Sequence, residues 1–427
     1  MEQKKQNYAI PIVVMILLFG MISFVTNLAS PMGDILKHQF QIPNWQGTLG
    51  VFANFIAYAV MGIPAGNLLQ KRGYKRTALI AVSVGFLGVG IQTLSGVWSS
   101  FAVYLLGAFV AGFSMCLLNT VVNPMLNRLG GGGNKGNQLI QFGGTFNSLC
   151  GTAVIILTGL LIPQGIKNAH ISDVFLLMYT ALAIFAVAFI VILLTKIPEN
   201  EESGVAKEDD EIRSPLSYRH FLLGAIGIFI YVGVEVGIPN VMNKWLQNPD
   251  LNVLGAGVNA EAVAGSIAAT YWFLMLVGRL IGGIVGSKVS ARAMIGVVAS
   301  VAILLVLAAM FVPAVMVKFP AFNGAQGFGM ESVPLAAALL VCVGLCTSVM
   351  WGGIFNLAVE GLGRSTEKAS GIFMALVCGG GILPLLQNGI VDIFGNGAYL
   401  ASYWVIVAGM AYILFYALVG SRPAKQN

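Results

Sequence analysis

The chain has 427 residues, of which 57% are hydrophobic and only 9% charged, and its mean hydropathy is +0.84. A water-soluble globular domain carries about 25% charged residues, so water is not the main solvent of this chain. The formal net charge of +6 does not point to nucleic acid, because the basic residues sit in short gaps between long apolar runs and form no phosphate-binding face.

From the N-terminus, MEQKKQNYAI leads straight into a hydrophobic stretch without a small-residue cleavage site, which reads as a retained first helix rather than a removed signal peptide. A bilayer-spanning helix needs about 20 mainly apolar residues. Six stretches qualify in the first half, at about 8–30, 48–70, 77–97, 101–126, 138–162 and 174–195. Six more qualify in the second half, at about 220–243, 261–287, 291–313, 335–360, 367–391 and 398–420. Backbone polar groups in lipid must be satisfied within the segment, so these runs are expected to be helices.

Between the halves lies Lys196–Arg219, which holds seven of the seventeen Asp and Glu. That density of charge cannot enter hydrocarbon or build a core. The expected organisation is a six-helix bundle over 1–195, a solvated cytoplasmic linker over 196–219 and a second six-helix bundle over 220–427. Twelve spans put both termini on one side. With the termini cytoplasmic, inner segments collect eighteen of the twenty-three Lys and Arg, outer loops hold Lys37, Lys167, Lys244 and Lys318, and Arg279 lies within a span. This asymmetry predicts an inner-membrane protein with both ends in the cytoplasm.

The halves also echo each other. Arg72 and Arg76 match Lys288 and Arg292 at an offset of 216, and Asn123, Gly130 and Lys135 match Asn356, Gly363 and Lys368 at an offset of 233. Six-plus-six counting and these matches suggest a duplicated, pseudo-symmetric bundle of the kind used by transporters.

Charged or amide side chains within the spans are the candidate site. Besides Asp34, they are Asn54, Asn119, Asn123, Gln141, Asn147, Glu235, Asn240, Asn356, Gln387 and Asn388. Amides both donate and accept hydrogen bonds and Trp351 offers a flat aromatic face, while a single amide can equally well serve as a helix–helix hydrogen bond. Glu235 and Arg279 either neutralise one another or leave Glu235 free to titrate. The five cysteines all lie in apolar segments, without C-x-x-C spacing or a neighbouring histidine, and read as unpaired packing residues. No metal site, cofactor or catalytic triad is expected. Gly130–Gly133 lacks a following G-K-[ST] and is not a phosphate loop.

Several motifs carry a family resemblance. Gly66–Arg76, GNLLQKRGYKR, is similar to the signature loop between the second and third helices of the major facilitator superfamily, with Gln70 where the pattern usually has Asp. GDILKHQF (33–40), NTVVNP (119–124), TFNS (145–148), YVGVEVGIP (231–239), VGRLIGG (277–283), GLGRSTEKASG (361–371) and GGGILPLLQNGIVD (379–392) resemble the fucose–proton symporter branch of that superfamily. The resemblance implies an all-α major facilitator fold and alternating access. It implies a role for Asp34 in proton coupling and sugar binding, although Lys37 and His38 also suit a wetted residue at the outer end of its span. It places Asn119 where the family often has Glu or Gln; an amide cannot titrate, so a two-carboxylate relay through Asp34 and this position is not available, although Asn119 can still hydrogen-bond sugar hydroxyls, and H+ or Na+ stays open as the coupling ion. Asn147 matches a polar site position of the family, and Asn123, Trp351, Asn356 and Gln387 complete the substrate-binding candidates.

The expected function is import of a monosaccharide, a hexose or deoxyhexose such as fucose, glucose or galactose, by cation symport. The expected partners are the sugar, the cation and the bilayer, in a monomer without nucleic acid. The alternatives are another small polar solute, an uncoupled facilitator, or a multi-span membrane enzyme or sensor.

Overall fold

The computed structural model describes residues 8–39, 49–161, 170–199, 214–255 and 257–423. Each of the twelve predicted spans falls on a helix or on consecutive helical segments. Most of the charged linker, residues 200–213, lies outside the described residues. The chain forms two compact units: the first takes in Met1–Tyr218 with Val359–Val377, and the second Arg219–Ala358 with Cys378–Asn427.

Unit 1 contains α1 (Ala9–Gln39), α2 (Leu49–Trp98), α3 (Phe101–Leu129), α4 (Gly133–Leu161) and α5 (Phe175–Leu194), together with α11 (Thr366–Ala375) from late in the chain. Although α2 is 50 residues long, it is two spans joined at Gly73, whose φ of 75° breaks the helical run. An L side chain rarely adopts that conformation. A Cβ there would also collide with Glu199 Oε2.

The turn explains the signature loop physically. Past Gly73, the backbone amides of Tyr74 and Lys75 open a new helix and donate to the Glu199 carboxylate at 2.7 and 2.8 Å. An anion at a helix N-terminus meets both unpaired amides and the favourable end of the macrodipole. Reciprocally, Lys75 Nζ donates to the carbonyls of Leu193 and Thr195 at 2.8 and 3.0 Å, closing the C-terminal end of α5.

In unit 1, α11 lies close against α2 and α3. A Cβ at Gly66 would stand 2.9 Å from Gly371 Cα, and one at Gly62 would collide with the Ala375 backbone. Small residues allow this approach of helix backbones, as at membrane helix interfaces generally.

Unit 2 contains α6 (Arg219–Gln247), α7 (Ala260–Val285), α8 (Ala291–Phe311), α9 (Leu335–Thr347), α10 (Met350–Ala358), α12 (Gly379–Phe394) and α13 (Trp404–Phe415). Asn259 and Ser290 cap α7 and α8 through their side-chain oxygens. A basic side chain closes a helix end in each unit. As Lys75 closes the sixth span of unit 1, Arg292 of unit 2 donates to Ser421 Oγ and O at 3.0 and 3.3 Å, closing the last span.

One element has no counterpart in the predicted spans. Between α8 and α9, β1 (Met316–Phe322) pairs antiparallel with β2 (Phe328–Pro334) in a two-stranded sheet.

Among the described residues, ten stretches are long and apolar enough to cross a membrane, one of them the joined Phe52–Trp98.

Candidate substrate and coupling site

In unit 1 the polar side chains concentrate on α3 and its neighbours. Asn119 is buried and its Nδ2 donates to the Tyr58 hydroxyl at 2.6 Å and to the Met115 carbonyl at 3.2 Å. One turn on, the fully buried Asn123 donates from Nδ2 to the Asn119 carbonyl at 2.9 Å and to Asn119 Oδ1 at 3.3 Å. The motif NTVVNP therefore builds a continuous chain, Asn123 to Asn119 to Tyr58, of neutral groups that donate and accept hydrogen bonds.

Pro124 follows directly. It has no N–H to return to the carbonyl four residues back, and that carbonyl, of Thr120, accepts from the Ser370 hydroxyl at 3.0 Å. Asn147 on α4 donates from Nδ2 to the Phe19 carbonyl of α1 at 2.7 Å, so part of its amide is used between helices. Gln141 is buried on the same helix. Asn54 on α2 sits close to Gly112 of α3.

On α1, Asn27 Nδ2 donates to Ser23 O and Oγ, each at 2.9 Å. Asp34 lies seven residues further along the same helix, about two turns. The side chains of Asp34, Lys37 and His38 lie outside the described residues.

In unit 2 the two intramembrane charges meet. Arg279 Nη2 on α7 donates to Glu235 Oε1 on α6 at 3.2 Å, and both side chains are largely buried, at 13% and 12% exposure. The Tyr231 hydroxyl, one turn before Glu235, donates to the same oxygen at 2.8 Å. The Trp351 ring lies 6.4 Å from that of Tyr231, centre to centre. The buried Tyr271 hydroxyl shares a 3.0 Å hydrogen bond with Thr347 Oγ1. Glu235, Arg279 and Trp351 are thereby brought together around Tyr231.

The remaining candidates in unit 2 lie on α10 and α12. Asn356 is buried on α10. Gln387 is wholly buried, lies against Gly237 of α6, and among the described residues neither of its polar side-chain atoms has a hydrogen-bond partner. Leaving a buried amide unmatched costs about 1–3 kcal/mol. Asn388 donates to Asn240 Oδ1 at 3.3 Å and accepts from Lys244 Nζ at 3.1 Å.

Sequence reasoning missed Tyr58, Tyr231, Tyr271, Thr347 and Asn27. A signal existed for Tyr231, because residues four apart share a helix face. Tyr58 and Tyr271 read as packing until their hydroxyl partners are seen. Among the described residues, no group of three or more His, Cys, Asp or Glu is placed to hold a metal ion.

Helices of this length and apolarity, with amides and the Glu235–Arg279 ion pair buried among them, define a multi-span membrane helical fold. The chain belongs to the Major Facilitator Superfamily, whose family model matches residues 12–385. It is 31% identical over 422 residues to the "Glucose/galactose transporter" of Brucella abortus biovar 1 (strain 9-941), covering 98% of this chain and 96% of that protein. It is 22% identical over 421 residues to the "L-fucose-proton symporter" of Escherichia coli (strain K12), covering 92% of this chain and 89% of the symporter. Among solved structures, the superfamily transporter FucP in its outward conformation shares the fold, with a TM-score of 0.80, 20% identity, and coverage of 96% of this chain and 99% of that chain.

Proposed function

We propose that the protein is a secondary active transporter that imports a neutral monosaccharide, a hexose or deoxyhexose, by proton symport through alternating access. The observation that carries this reading is the 31% identity, over 98% of this chain, to a glucose/galactose transporter. A second match, to a fucose–proton symporter, supports the coupling. The chemistry of the polar groups agrees, since amides and hydroxyls dominate and sugars need donors and acceptors without fixed charge.

In this reading Asn119, Asn123 and Asn147 in unit 1, and Trp351, Asn356 and Gln387 in unit 2, bind the sugar. Gln387 supports it because its amide has no hydrogen-bond partner among the described residues. Asp34 binds sugar and carries the coupling proton, because a carboxylate kept in a span is costly unless used. Glu235, held by Tyr231 and Arg279, is the second coupling carboxylate: a proton on it would loosen Arg279 and link charge to conformation. Inward movement of one positive charge is worth about 2.3 kcal/mol per 100 mV. The protein acts as a monomer in the inner membrane with both termini in the cytoplasm.

The test is uptake of a panel of labelled sugars into proteoliposomes, under an inward pH gradient, an inward sodium gradient, or neither. The expected result is accumulation of glucose, galactose or fucose under the pH gradient alone. Accumulation driven only by sodium would replace the proton. Equilibration without accumulation in every case would make the protein an uncoupled facilitator.

A further inference from the structure

The β1–β2 hairpin shows two different faces. Pairing of Val317 with Val333, Phe319 with Glu331 and Ala321 with Gly329 sets one face, and Ala321 and Val333 on it are fully buried. Pairing of Met316 with Pro334, Lys318 with Ser332, Pro320 with Met330 and Phe322 with Phe328 sets the other. On that second face Phe328 is 72% and Met330 59% exposed, and Met316, Lys318, Pro320 and Phe322 are exposed as well. A hairpin with one face on a core and one in water alternates apolar with polar. Here both faces are mainly apolar, with Glu331 on the first and Lys318 and Ser332 on the second.

The hairpin is not a free arm. Its base closes where Leu335 N donates to the Val315 carbonyl at 2.8 Å. Near its tip, Phe322 N donates to Ser266 Oγ at 3.0 Å and Asn259 N donates to Asn323 Oδ1 at 2.9 Å. It is thus laid along the first two turns of α7, and its outer face is held in place.

We propose that this outer face seats in the interfacial zone of the phospholipid bilayer and anchors unit 2 at that end. Three observations favour lipid as the occupant. Val297, Val301, Leu304 and Phe311 of α8, and Val315 and Met316 after it, are exposed, and the chain carries no polar residue from Val301 to Met316. Lys318 shares the face, and its long stem lets an ammonium reach lipid phosphate while the neighbours stay apolar. The face is also small: two strands of seven residues cover roughly 230 Å², against roughly 800 Å² per partner in a standard specific protein interface. The proposal rests on the membrane-spanning fold and is independent of which solute is carried.

The full chain, reconstituted in phosphatidylcholine vesicles with a minority of anionic lipid, provides the test. Phe328→Cys, Met330→Cys and the control Glu261→Cys are labelled with a membrane-impermeant maleimide, alongside the parent carrying its five native cysteines. Glu261 is exposed in the first turn of α7, at the same end of unit 2, so vesicle orientation affects control and test positions alike. Separately, Phe328→Trp is compared with the parent in vesicles of brominated phospholipid. The expected result is no labelling of Phe328→Cys and Met330→Cys above the parent in the time Glu261→Cys labels fully, with added tryptophan emission quenched by the brominated lipid. Labelling of Phe328→Cys as fast as the control would put the face in water and overturn the proposal. Protection from label without extra quenching would mean that protein covers the face, and would overturn it equally.

Discussion

The Ser370 hydroxyl donates to the Thr120 carbonyl at 3.0 Å, and Thr120 is the residue whose helical partner Pro124 removes. A proline inside a membrane helix leaves a carbonyl unmatched unless a neighbouring side chain takes it. The side chain that does so comes from α11, 250 residues away in sequence. Ser370→Ala should therefore lower the stability of the detergent-purified protein by about 1 kcal/mol, read as a lower melting temperature. Gly371→Leu should cost more, because a Cβ there meets the Gly62 and Gly66 backbone rather than a side chain that can move.

The Glu235–Arg279 pair makes a prediction of opposite signs. Removing one partner of a buried ion pair leaves an uncompensated charge and costs about 3–5 kcal/mol. Glu235→Gln and Arg279→Gln should each destabilise the protein markedly. The double variant should recover much of the loss in the same melting assay. If Glu235 also couples, the double variant will fold well yet transport sugar without responding to the pH gradient.

How much of this was open to sequence reasoning depended on what each residue had to contrast with. Long apolar runs can only be helices in lipid, so the spans were legible, and Glu235 and Arg279 stood out because charge is rare there. The hairpin was not legible, since Lys318 and Glu331 interrupt short apolar runs too weakly patterned to show period-two alternation. The seat of Glu199 on the Tyr74 amide was also hidden, because nothing local links residues 125 positions apart. Asn147 was picked out as polar, but only coordinates show its amide reaching the Phe19 carbonyl. Tyr58 stayed hidden because a tyrosine in an apolar helix looks like packing.

Tyr58 gives the third prediction. Tyr58→Phe removes the hydroxyl that accepts from Asn119 at 2.6 Å and leaves the ring. If this chain of polar groups orients Asn119 for the sugar, affinity should fall about five- to tenfold, for about 1 kcal/mol of lost hydrogen bonding. Asn119→Ala should weaken binding at least as much. Equilibrium binding of labelled sugar to the purified variants measures both.

Glu199 gives the fourth. Its carboxylate caps the helix that starts after Gly73 through two backbone amides. Glu199→Ala should cost about 1 kcal/mol. Glu199→Gln, which keeps one acceptor but loses the charge, should cost less. Differential melting of the two variants at low salt separates the charge from the hydrogen bonds.

The central claim, that sugar and proton cross together by way of Asp34, is tested most directly in lightly buffered proteoliposomes by following external pH as sugar is added. The account predicts that sugar entry alkalinises the medium for the native protein, and that Asp34→Asn exchanges labelled sugar across the membrane with no accompanying pH change. Sugar uptake by the native protein without proton movement, or proton movement that survives in Asp34→Asn, would contradict it.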